Sequence, residues 1–512
     1  MGRGSAAKVR ESETPSKPEP ALKPVSTQPN LVPPLSRARQ PGWRISRSSV
    51  RVFGQHVDFR ILLLGVVDWV ILFASMHLAA LLWFRGDIGL WQMELGSVVL
   101  ESVIFATCVM TSLVAMGLYN RRLDQRTTAV LARILVGFLA GATAMAVLMF
   151  MLEGLRLGRA TLGLSIAVAL PLLGLTRIFF VQALGRDRFA RRVLVYGSGK
   201  RADELRDVRV RQDLRGFQVI GFVPTEGSSR SVAPELCIGP PEDLREFVVI
   251  NDIDEVVVAM DDRRRGLPVE QLLNCRLAGV PVTDVLSFVE RESGKVELSM
   301  LYPSWLIFSE NINPQGLSRL LTRLFDLVAA LLLLGLAFPL MLLTALAVWA
   351  ESGFKGPVLY TQSRVGMEGM AFRLYKFRSM RPDAEKNGAQ WASDNDPRVT
   401  RVGAFIRAAR LDELPQLFNV LRGEMSFVGP RPERPEFVEQ LSQKIPYYRE
   451  RHCVKPGITG WAQLCYPYGA SEQDALEKLQ YDLYYVKNKT ILFDLIILLQ
   501  TAEVVLWRKG AR

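Results

Sequence analysis

The sequence is poor in the residues that build disulfide frameworks and zinc sites. It has five cysteines and three histidines in 512 residues, and no two cysteines stand at Cys-x-x-Cys spacing. An odd cysteine count without paired spacing fits a reducing compartment and argues against a disulfide scaffold or a zinc centre. We do not expect a cleaved signal peptide, because the first apolar run begins near Phe59, far beyond the usual position.

The first 58 residues are polar and basic. They hold ten Lys and Arg against four Asp and Glu, which is about half of the formal net charge of +12. Pro, Ser, Lys and Glu dominate residues 11–42, a composition typical of disorder. We interpret residues 1–58 as a disordered cytosolic tail that faces anionic lipid. Nucleic acid is not an expected partner, since aromatic residues are not interleaved with the basic ones.

Long apolar stretches follow the tail. Each is long enough, at 1.5 Å per residue, to cross a hydrocarbon core of about 30 Å. Together they predict a four-helix transmembrane domain, residues 59–186. The stretches lie at roughly 60–84, 95–119, 128–152 and 160–184.

Arginine placement orients these spans. The link after the second stretch and the segment after the fourth are rich in arginine, including Arg121, Arg122, Arg186 and Arg188. The positive-inside rule then puts both ends of the bundle in the cytosol. Asp68 and Glu101 are interpreted as isolated acids, so no intramembrane charge set points to a transporter.

Residues 187–312 are predicted to form a Rossmann-like α/β domain. Short apolar strands alternate with helical stretches, which is typical of a parallel sheet. Gly197 and Gly199 follow the first strand and open a helix, as a dinucleotide fold requires, but Asp203 occupies the third glycine position. This weak pattern favours a regulatory or assembly role over cofactor-dependent redox chemistry.

A second apolar run, 324–349, precedes the most charged part of the chain. Pro339 lies in its middle, and basic residues flank both sides. Proline inside a helix removes one hydrogen bond and kinks the chain. We predict a re-entrant membrane helix over 323–350, broken at Pro339, that enters and leaves by the same face. A proline-kinked spanning helix is the alternative.

Arginine and lysine beside rigid Pro and Gly turns characterise residues 359–470. Such cations suit phosphate, which Arg grips bidentately. A hairpin-like pair of strands places Arg364, Lys376 and Arg378 close together. Asp412 and Glu413 are adjacent acids among these cations. Neighbouring positions on a helix diverge by about 100°, so the two acids suit separate tasks rather than a shared-proton dyad. One could attack phosphorus while the other holds Mg²⁺, although first-turn acids that support a helix dipole are the ordinary alternative.

Three strings in this segment carry a family resemblance: YKFRSM, RLDELPQLFNVLRGEMSFVGPRP and VKPGITGWAQ. The chain over about 315–510 resembles the catalytic domain of the monotopic phosphoglycosyl transferases, the bacterial sugar transferase family. With its preceding spans and α/β unit it resembles the large members, the polyprenyl glycosylphosphotransferases of exopolysaccharide pathways. The expected fold is thus a multi-domain membrane protein: a four-helix transmembrane bundle, a Rossmann-like α/β domain, and an α+β catalytic domain, 313–512, with a re-entrant membrane helix.

The resemblance implies a reaction at the cytosolic face of the bacterial inner membrane. Asp412 would attack the sugar-linked phosphate of a UDP-hexose, release UMP and pass the phosphosugar to undecaprenyl phosphate. Glu413 would hold Mg²⁺, and Pro430 and Pro432 would fix the loop that carries Arg431. The cations implied as phosphate ligands are Arg364, Lys376, Arg378, Arg407, Arg410, Arg431 and Lys455.

Several alternatives stay open. A membrane scaffold or regulator with an inactive transferase domain is the competing interpretation of the whole chain. Lys455 fits a phosphate or lipid-headgroup contact as well as a solvated surface lysine. His452 fits a structural role better than that of a general base. The stretch 473–508 suits an interfacial helix or packing on the catalytic core, and a homo-oligomer is compatible with the sequence.

Overall fold

We analysed a computed structural model of the chain. It describes the following residues: 50–52, 55–57, 59–85, 98–119, 127–151, 159–183, 190–211, 216–225, 231–262, 266–301, 316–381, 384, 396–466, 469 and 471–506. Most of the predicted tail, 1–58, and the arginine-rich links between the spans lie outside these residues. A short hairpin, β1 (Val50–Val52) and β2 (Gln55–Val57), precedes the first helix.

Apolar helices build the N-terminal bundle. They are α1 (Phe59–Trp83), α2 (Val98–Ala115), α3 (Thr127–Met151) and α4 (Arg159–Ala183). By length and composition α1, α3 and α4 can cross a membrane, whereas the apolar part of α2 is shorter than predicted, Val99–Ala115. Phe105, Phe138 and Leu72 lie in the shared core. Gly141 lets α3 approach the α2 backbone closely, because a Cβ there would lie 2.6 Å from Cα of Val109.

Within this bundle the interpretation of Asp68 as an isolated acid is wrong. Its carboxylate is fully buried and lies 2.6 Å from Nη2 of Arg177 on α4. The hydroxyl of Tyr119 donates to the same oxygen over 2.7 Å. Pairing is the expected arrangement for a charge at membrane depth. The partners lie 109 residues apart in the chain, which explains why the sequence did not reveal them.

The α/β unit contains a parallel four-stranded sheet in the order β4-β3-β5-β6. Its strands are β3 (Arg191–Tyr196), β4 (Phe217–Val223), β5 (Glu255–Val258) and β6 (Val282–Asp284). Its helices are α5 (Lys200–Arg211), α6 (Leu244–Ile250), α7 (Val269–Leu277) and α8 (Val285–Ser293). Apolar residues of β3 and β5 point to both faces and form two cores, as buried parallel strands do. The Rossmann-like prediction is confirmed at this level.

The second apolar run forms α9 (Leu317–Glu351), a single helix of 35 residues. Pro339 lies inside it, so the break predicted at this position does not separate two helices. The proline removes one donor, and the remaining helical bonds keep α9 continuous. Its apolar residues differ by face: Ala337 and Met341 are buried, whereas Leu336 and Leu332 are 81% and 70% exposed.

Both ends of α9 contact the unit that follows it in the chain, which we call the catalytic unit after its predicted function. Near its start, Asp326 accepts hydrogen bonds from Ser426 Oγ (2.9 Å) and the Phe427 N–H (3.1 Å). At its end, Glu351 accepts the N–H of Val402 over 2.9 Å. The helix therefore lies against the catalytic unit along its length, and its other face presents leucine.

The catalytic unit combines small sheets with short helices. β7 (Leu359–Val365) and β8 (Ala371–Phe377) pair antiparallel, which confirms the predicted hairpin, and β9 (Ser426–Val428) and β10 (Gly457–Thr459) pair parallel. The helices are α10 (Arg401–Ala408), α11 (Gln416–Arg422), α12 (Pro435–Lys444), α13 (Trp461–Cys465), α14 (Glu472–Asn488) and α15 (Ile491–Leu506). Phe493 and Ile497 of α15 are buried in the catalytic core, so this helix packs on that core.

Candidate active site

Asp412 and Glu413 lie on a short 3-10 turn, Leu411–Glu413, between α10 and α11. Leu411 and Leu414 pack against the apolar cluster of α9 that contains Ala337 and Met341. Because residues at i and i+3 of a 3-10 turn share a face, the two leucines face the membrane helix and the acids point elsewhere. We call residues 411–414 the acid turn. Pro415 precedes the next helix, α11, and Gly423 ends it in the left-handed conformation at φ 84°.

Two cationic side chains bind the same carboxylate oxygen of Glu413. Its Oε1 accepts from Lys376 Nζ over 3.1 Å and from Arg431 Nη2 over 2.8 Å. Burial alone would raise the pKa of Glu413, but Lys376 and Arg431 outweigh it and hold that pKa well below its usual range. Glu413 is therefore ionised at neutral pH. Its second oxygen, Oε2, accepts no hydrogen bond within the described part of the chain.

Asp412 is buried beside the same cations. Burial raises its pKa and the neighbouring Glu413 adds to this, while Lys376, Arg431 and Arg407 oppose it. Among the residues that the structure describes, none donates a hydrogen bond to the Asp412 carboxylate. A carboxylate that is surrounded by cations but not tied to any donor suits attack on an electrophilic phosphorus.

Two segments bring the cations to the acid turn. Lys376 stands on β8, whose backbone is fastened to α11 by the buried Asn419: this side chain accepts from Tyr375 N–H (3.2 Å) and donates to the Arg373 carbonyl (2.7 Å). Arg431 stands on the loop after β9. Asn419 was missed by the sequence reasoning, although its place inside the RLDELPQLFNVLRGEMSFVGPRP string was a signal.

Two glycines allow the loop that carries Arg431 to approach the segment around β10 closely. A Cβ at Gly429 would overlap the carbonyl of Lys455, and one at Gly460 would overlap the carbonyl of Gly429. The loop after β9 and the segment around β10 thus touch backbone to backbone. Arg364 Nη1 also donates to the Pro432 carbonyl over 2.9 Å. Pro430 and Pro432 flank Arg431 in the loop that these contacts fix.

A shallow cleft of about 10 Å³, with room for about one water molecule, opens beside Lys376 and Arg431. Polar and apolar residues both line it. The lining residues are Arg364, Leu374, Lys376, Gln416, Arg431, Pro432 and Gly457.

The structure does not bring every predicted phosphate ligand to the acid turn. Arg407 and Arg410 lie near enough to oppose a rise in the pKa of Asp412 and Glu413, respectively. Arg378 instead lies beside Gly356, where a Cβ would be 2.7 Å from its Nη1. Lys455 and Arg323 both lie about 3.6 Å or less from the Cβ position of Gly423, at the other end of α11 from the acid turn.

His452 is buried on the 3-10 turn Arg449–Cys453. Burial, with a smaller effect of Arg451, lowers the pKa of His452 to about 3, so the imidazole is neutral. Within the described residues its Nε2 has no hydrogen-bond partner. These observations favour the structural role over that of a general base.

The glycine-rich turn of the α/β unit is filled by the chain itself. The Asp261 carboxylate accepts the N–H groups of Lys200 and Arg201, both over 3.0 Å, at the start of α5. A Cβ at Gly199 would overlap this carboxylate. Asp261 therefore occupies the position at which dinucleotide folds place a phosphate. The partner lies 61 residues from Lys200 in sequence, so no local pattern indicated it.

Comparison with known proteins agrees with the geometry. Residues 317–508 match the family model of the bacterial sugar transferases, and residues 114–273 match that of a CoA-binding domain. The UDP-glucose:undecaprenyl-phosphate glucose-1-phosphate transferase of Klebsiella pneumoniae is 36% identical over 329 residues, which cover 63% of this chain and 69% of that protein. The chain belongs to the bacterial sugar transferase family.

The names of two further relatives specify N-acetylgalactosamine instead of glucose. The UDP-N-acetylgalactosamine-undecaprenyl-phosphate N-acetylgalactosaminephosphotransferase of Aeromonas hydrophila is 43% identical over 260 residues, 51% of this chain and 60% of that protein. A putative undecaprenyl-phosphate N-acetylgalactosaminyl 1-phosphate transferase of Bacillus subtilis is 54% identical over 129 residues, 25% of this chain and 71% of that protein. The chain thus spans less than two thirds of the length of the Aeromonas relative.

Proposed function

We propose that this family member transfers a hexose 1-phosphate from a UDP-sugar to undecaprenyl phosphate at the cytosolic face of the inner membrane. The observation that carries the proposal is the buried carboxylate of Asp412, which accepts no hydrogen bond from the described residues and lies beside the Lys376–Glu413–Arg431 group. The relatives' names supply the substrate class. The product would be the first lipid-linked intermediate of a surface polysaccharide.

The proposed chemistry has two displacements at one phosphorus. The Asp412 carboxylate attacks the sugar-linked phosphorus of the UDP-sugar, the bond from that phosphorus to the UMP oxygen breaks, and UMP leaves with the electron pair. A phosphate oxygen of the undecaprenyl phosphate then attacks the same phosphorus. The aspartyl–phosphorus bond breaks, which restores the carboxylate and leaves a diphosphate-linked sugar.

The cations have separate tasks in this scheme. Arg431 and Lys376 fix Glu413 and face the cleft, so they offset charge that develops on the phosphates. Arg407 and Arg410 contribute longer-range positive charge. Arg364 holds the loop carbonyl of Pro432 and lines the same cleft. The roles of Arg378 and Lys455 as phosphate ligands stay predictions.

A magnesium ion is compatible with this arrangement. Mg²⁺ prefers carboxylate and phosphate oxygens and usually takes only one or two protein ligands. Oε2 of Glu413 is available for it, because both cations bind Oε1. When bound, the ion would neutralise phosphate charge; no cluster of three or more potential ligands is found among the described residues.

That α9, although continuous, does not cross the membrane is part of the proposal. UDP-sugars are cytosolic, so the catalytic unit must face the cytosol. Hydrogen bonds donated to Asp326 and Glu351 join both ends of α9 to that one unit. A straight crossing would have to carry part of the unit through the bilayer. The leucine-rich exposed face of α9 therefore dips into the inner leaflet without crossing.

Turnover of labelled UDP-sugars tests the proposal. Membranes that contain the protein are incubated with undecaprenyl phosphate and UDP-glucose, UDP-galactose or UDP-N-acetylgalactosamine. We expect UMP release and a lipid-linked product with one of these donors, and none with Asp412→Asn. Wild-type turnover by the Asn variant would show that Asp412 is not the nucleophile. Absence of any turnover by the wild type would favour the scaffold alternative.

A further inference from the structure

Arg451 is a buried arginine that contacts the Arg431 loop and does not line the cleft. It lies on the 3-10 turn Arg449–Cys453 and its side chain is 6% exposed. Its Nη2 donates to the backbone carbonyl of Arg431 over 3.0 Å, and its Nη1 donates to the Tyr448 hydroxyl over 2.7 Å. The Arg451 guanidinium therefore fixes the backbone of Arg431, and the Arg431 side chain in turn binds Glu413.

Asp482 on α14 completes the arrangement. Its carboxylate, 2% exposed, lies 2.8 Å from Nη2 of Arg451. Burial raises the pKa of Asp482 to about 6 although Arg451 opposes it. A buried ion pair stabilises a fold no better than well-packed apolar residues do. This suggests that the Arg451–Asp482 pair contributes position more than stability.

The α/β unit fixes α14 from its other side. Lys295, just after α8, donates to Gln480 Oε1 over 2.7 Å and to Glu477 Oε2 over 2.9 Å. Lys487 near the end of α14 donates to Glu290 of α8 over 2.7 Å. The helix that carries Asp482 is thus attached to the α/β unit at both ends.

We propose that Arg451 and Asp482 are positioning residues, which hold the Arg431 loop so that the Arg431 guanidinium meets Glu413. The α/β unit supports this geometry through α14. Neither residue touches the acids: the path runs from Asp482 to Arg451, to the Arg431 carbonyl, and from the Arg431 side chain to Glu413. The inference rests on the proposed transferase function and gives the α/β unit a task that needs no nucleotide.

Asp482→Asn and Arg451→Lys test the inference in purified full-length protein in nanodiscs. Both keep a polar side chain of similar size, and Arg451→Lys keeps the charge. Misplacing a reacting group by about 1 Å costs about 100-fold in rate, so we expect kcat to fall about 10- to 100-fold. The KM for the UDP-sugar should change by less than about 3-fold, since Arg451 does not line the cleft. Glu472→Gln, on the exposed Lys444–Glu472 pair of the same helix, is the matched control and should retain wild-type activity.

A double-mutant cycle separates positioning from general damage. If Asp482 acts through Arg431, Asp482→Asn should cost little further activity in an Arg431→Lys background. Melting of each variant in nanodiscs shows that the chain is folded. Independent losses that multiply, or wild-type kcat in Asp482→Asn, would overturn the inference. Failure of the wild type itself to turn over would instead contradict the proposed function.

Discussion

Arg431 Nη2 lies 2.8 Å from Oε1 of Glu413. This contact joins the loop after β9 to the acid turn, and Lys376 of β8 reaches the same oxygen from the other side. Three segments that are separate in the chain therefore meet at one carboxylate. Asp412, the next residue, lies in the middle of this charge and accepts no hydrogen bond from the part of the chain that the structure describes. This arrangement suits a nucleophile toward phosphorus.

Lys376 should contribute far more to the reaction rate than an exposed lysine of the same charge. Lys376→Gln removes one of the two cations from buried Glu413 and raises the pKa of that carboxyl. Loss of one preorganised electrostatic contact typically costs about 100- to 1,000-fold in kcat, and we expect UMP release to fall by that factor. Lys355→Gln removes an equal charge from an exposed position and is the control. Equal activity of the two variants would contradict the assignment.

The path of α9 can be tested by labelling. Ser318 and Ser352 stand at its two ends. In a background without the five native cysteines, we expect Ser318→Cys and Ser352→Cys to react with an impermeant maleimide only in inside-out vesicles. Gly89→Cys, in a link predicted to face outward, should react in intact spheroplasts. Labelling of Ser352→Cys in spheroplasts would show that α9 crosses the membrane.

The buried ion pair between Asp68 and Arg177 should stabilise the packing of α1 against α4. Arg177→Gln leaves the Asp68 carboxylate buried without its partner, and breaking one side of a buried pair typically costs about 3–5 kcal/mol. Adding Asp68→Asn should restore much of the stability, because no buried charge remains. Thermal unfolding in nanodiscs measures this. Additive losses in the double variant would show that the two side chains do not interact.

His452 predicts a pH dependence of stability. Its folded pKa of about 3 lies below the ordinary value of about 6.5, so the unfolded chain binds the proton more readily. This contribution to stability is complete above pH 6.5 and falls by about 1.4 kcal/mol per pH unit as the pH drops from 6.5 toward 3. His452→Gln should reduce the loss of Tm between pH 7.5 and pH 5. An equal loss in both proteins would contradict the neutral, buried imidazole.

Much of the site could be predicted from sequence because its motifs are contiguous. Asp412, Glu413 and Arg431 stand in one string, and the strands that carry Lys376 form the expected hairpin. What could not be predicted depends on partners far apart in the chain. Asp68 and Arg177, Asp261 and Lys200, and Arg451 and Asp482 are such pairs, and no periodicity marks them.

Lys455 and Pro339 show a different limit. Lys455 shares a motif with glycines that shape the loop, yet its side chain turns toward Gly423, away from the acids. Pro339 indicated a break, but a helix in an apolar setting tolerates one missing donor. In both cases the expectation came from the residue type, whereas the conformation depends on packing.

A covalent intermediate on Asp412 tests the account most directly. The protein is mixed with radiolabelled UDP-sugar without undecaprenyl phosphate, quenched and digested, and the peptides are analysed by mass spectrometry. We predict a hexose phosphate on the peptide that holds Asp412, its loss on addition of undecaprenyl phosphate, and its absence in Asp412→Asn. An adduct on Glu413 would contradict the account, as would steady turnover without any adduct under conditions in which one should accumulate.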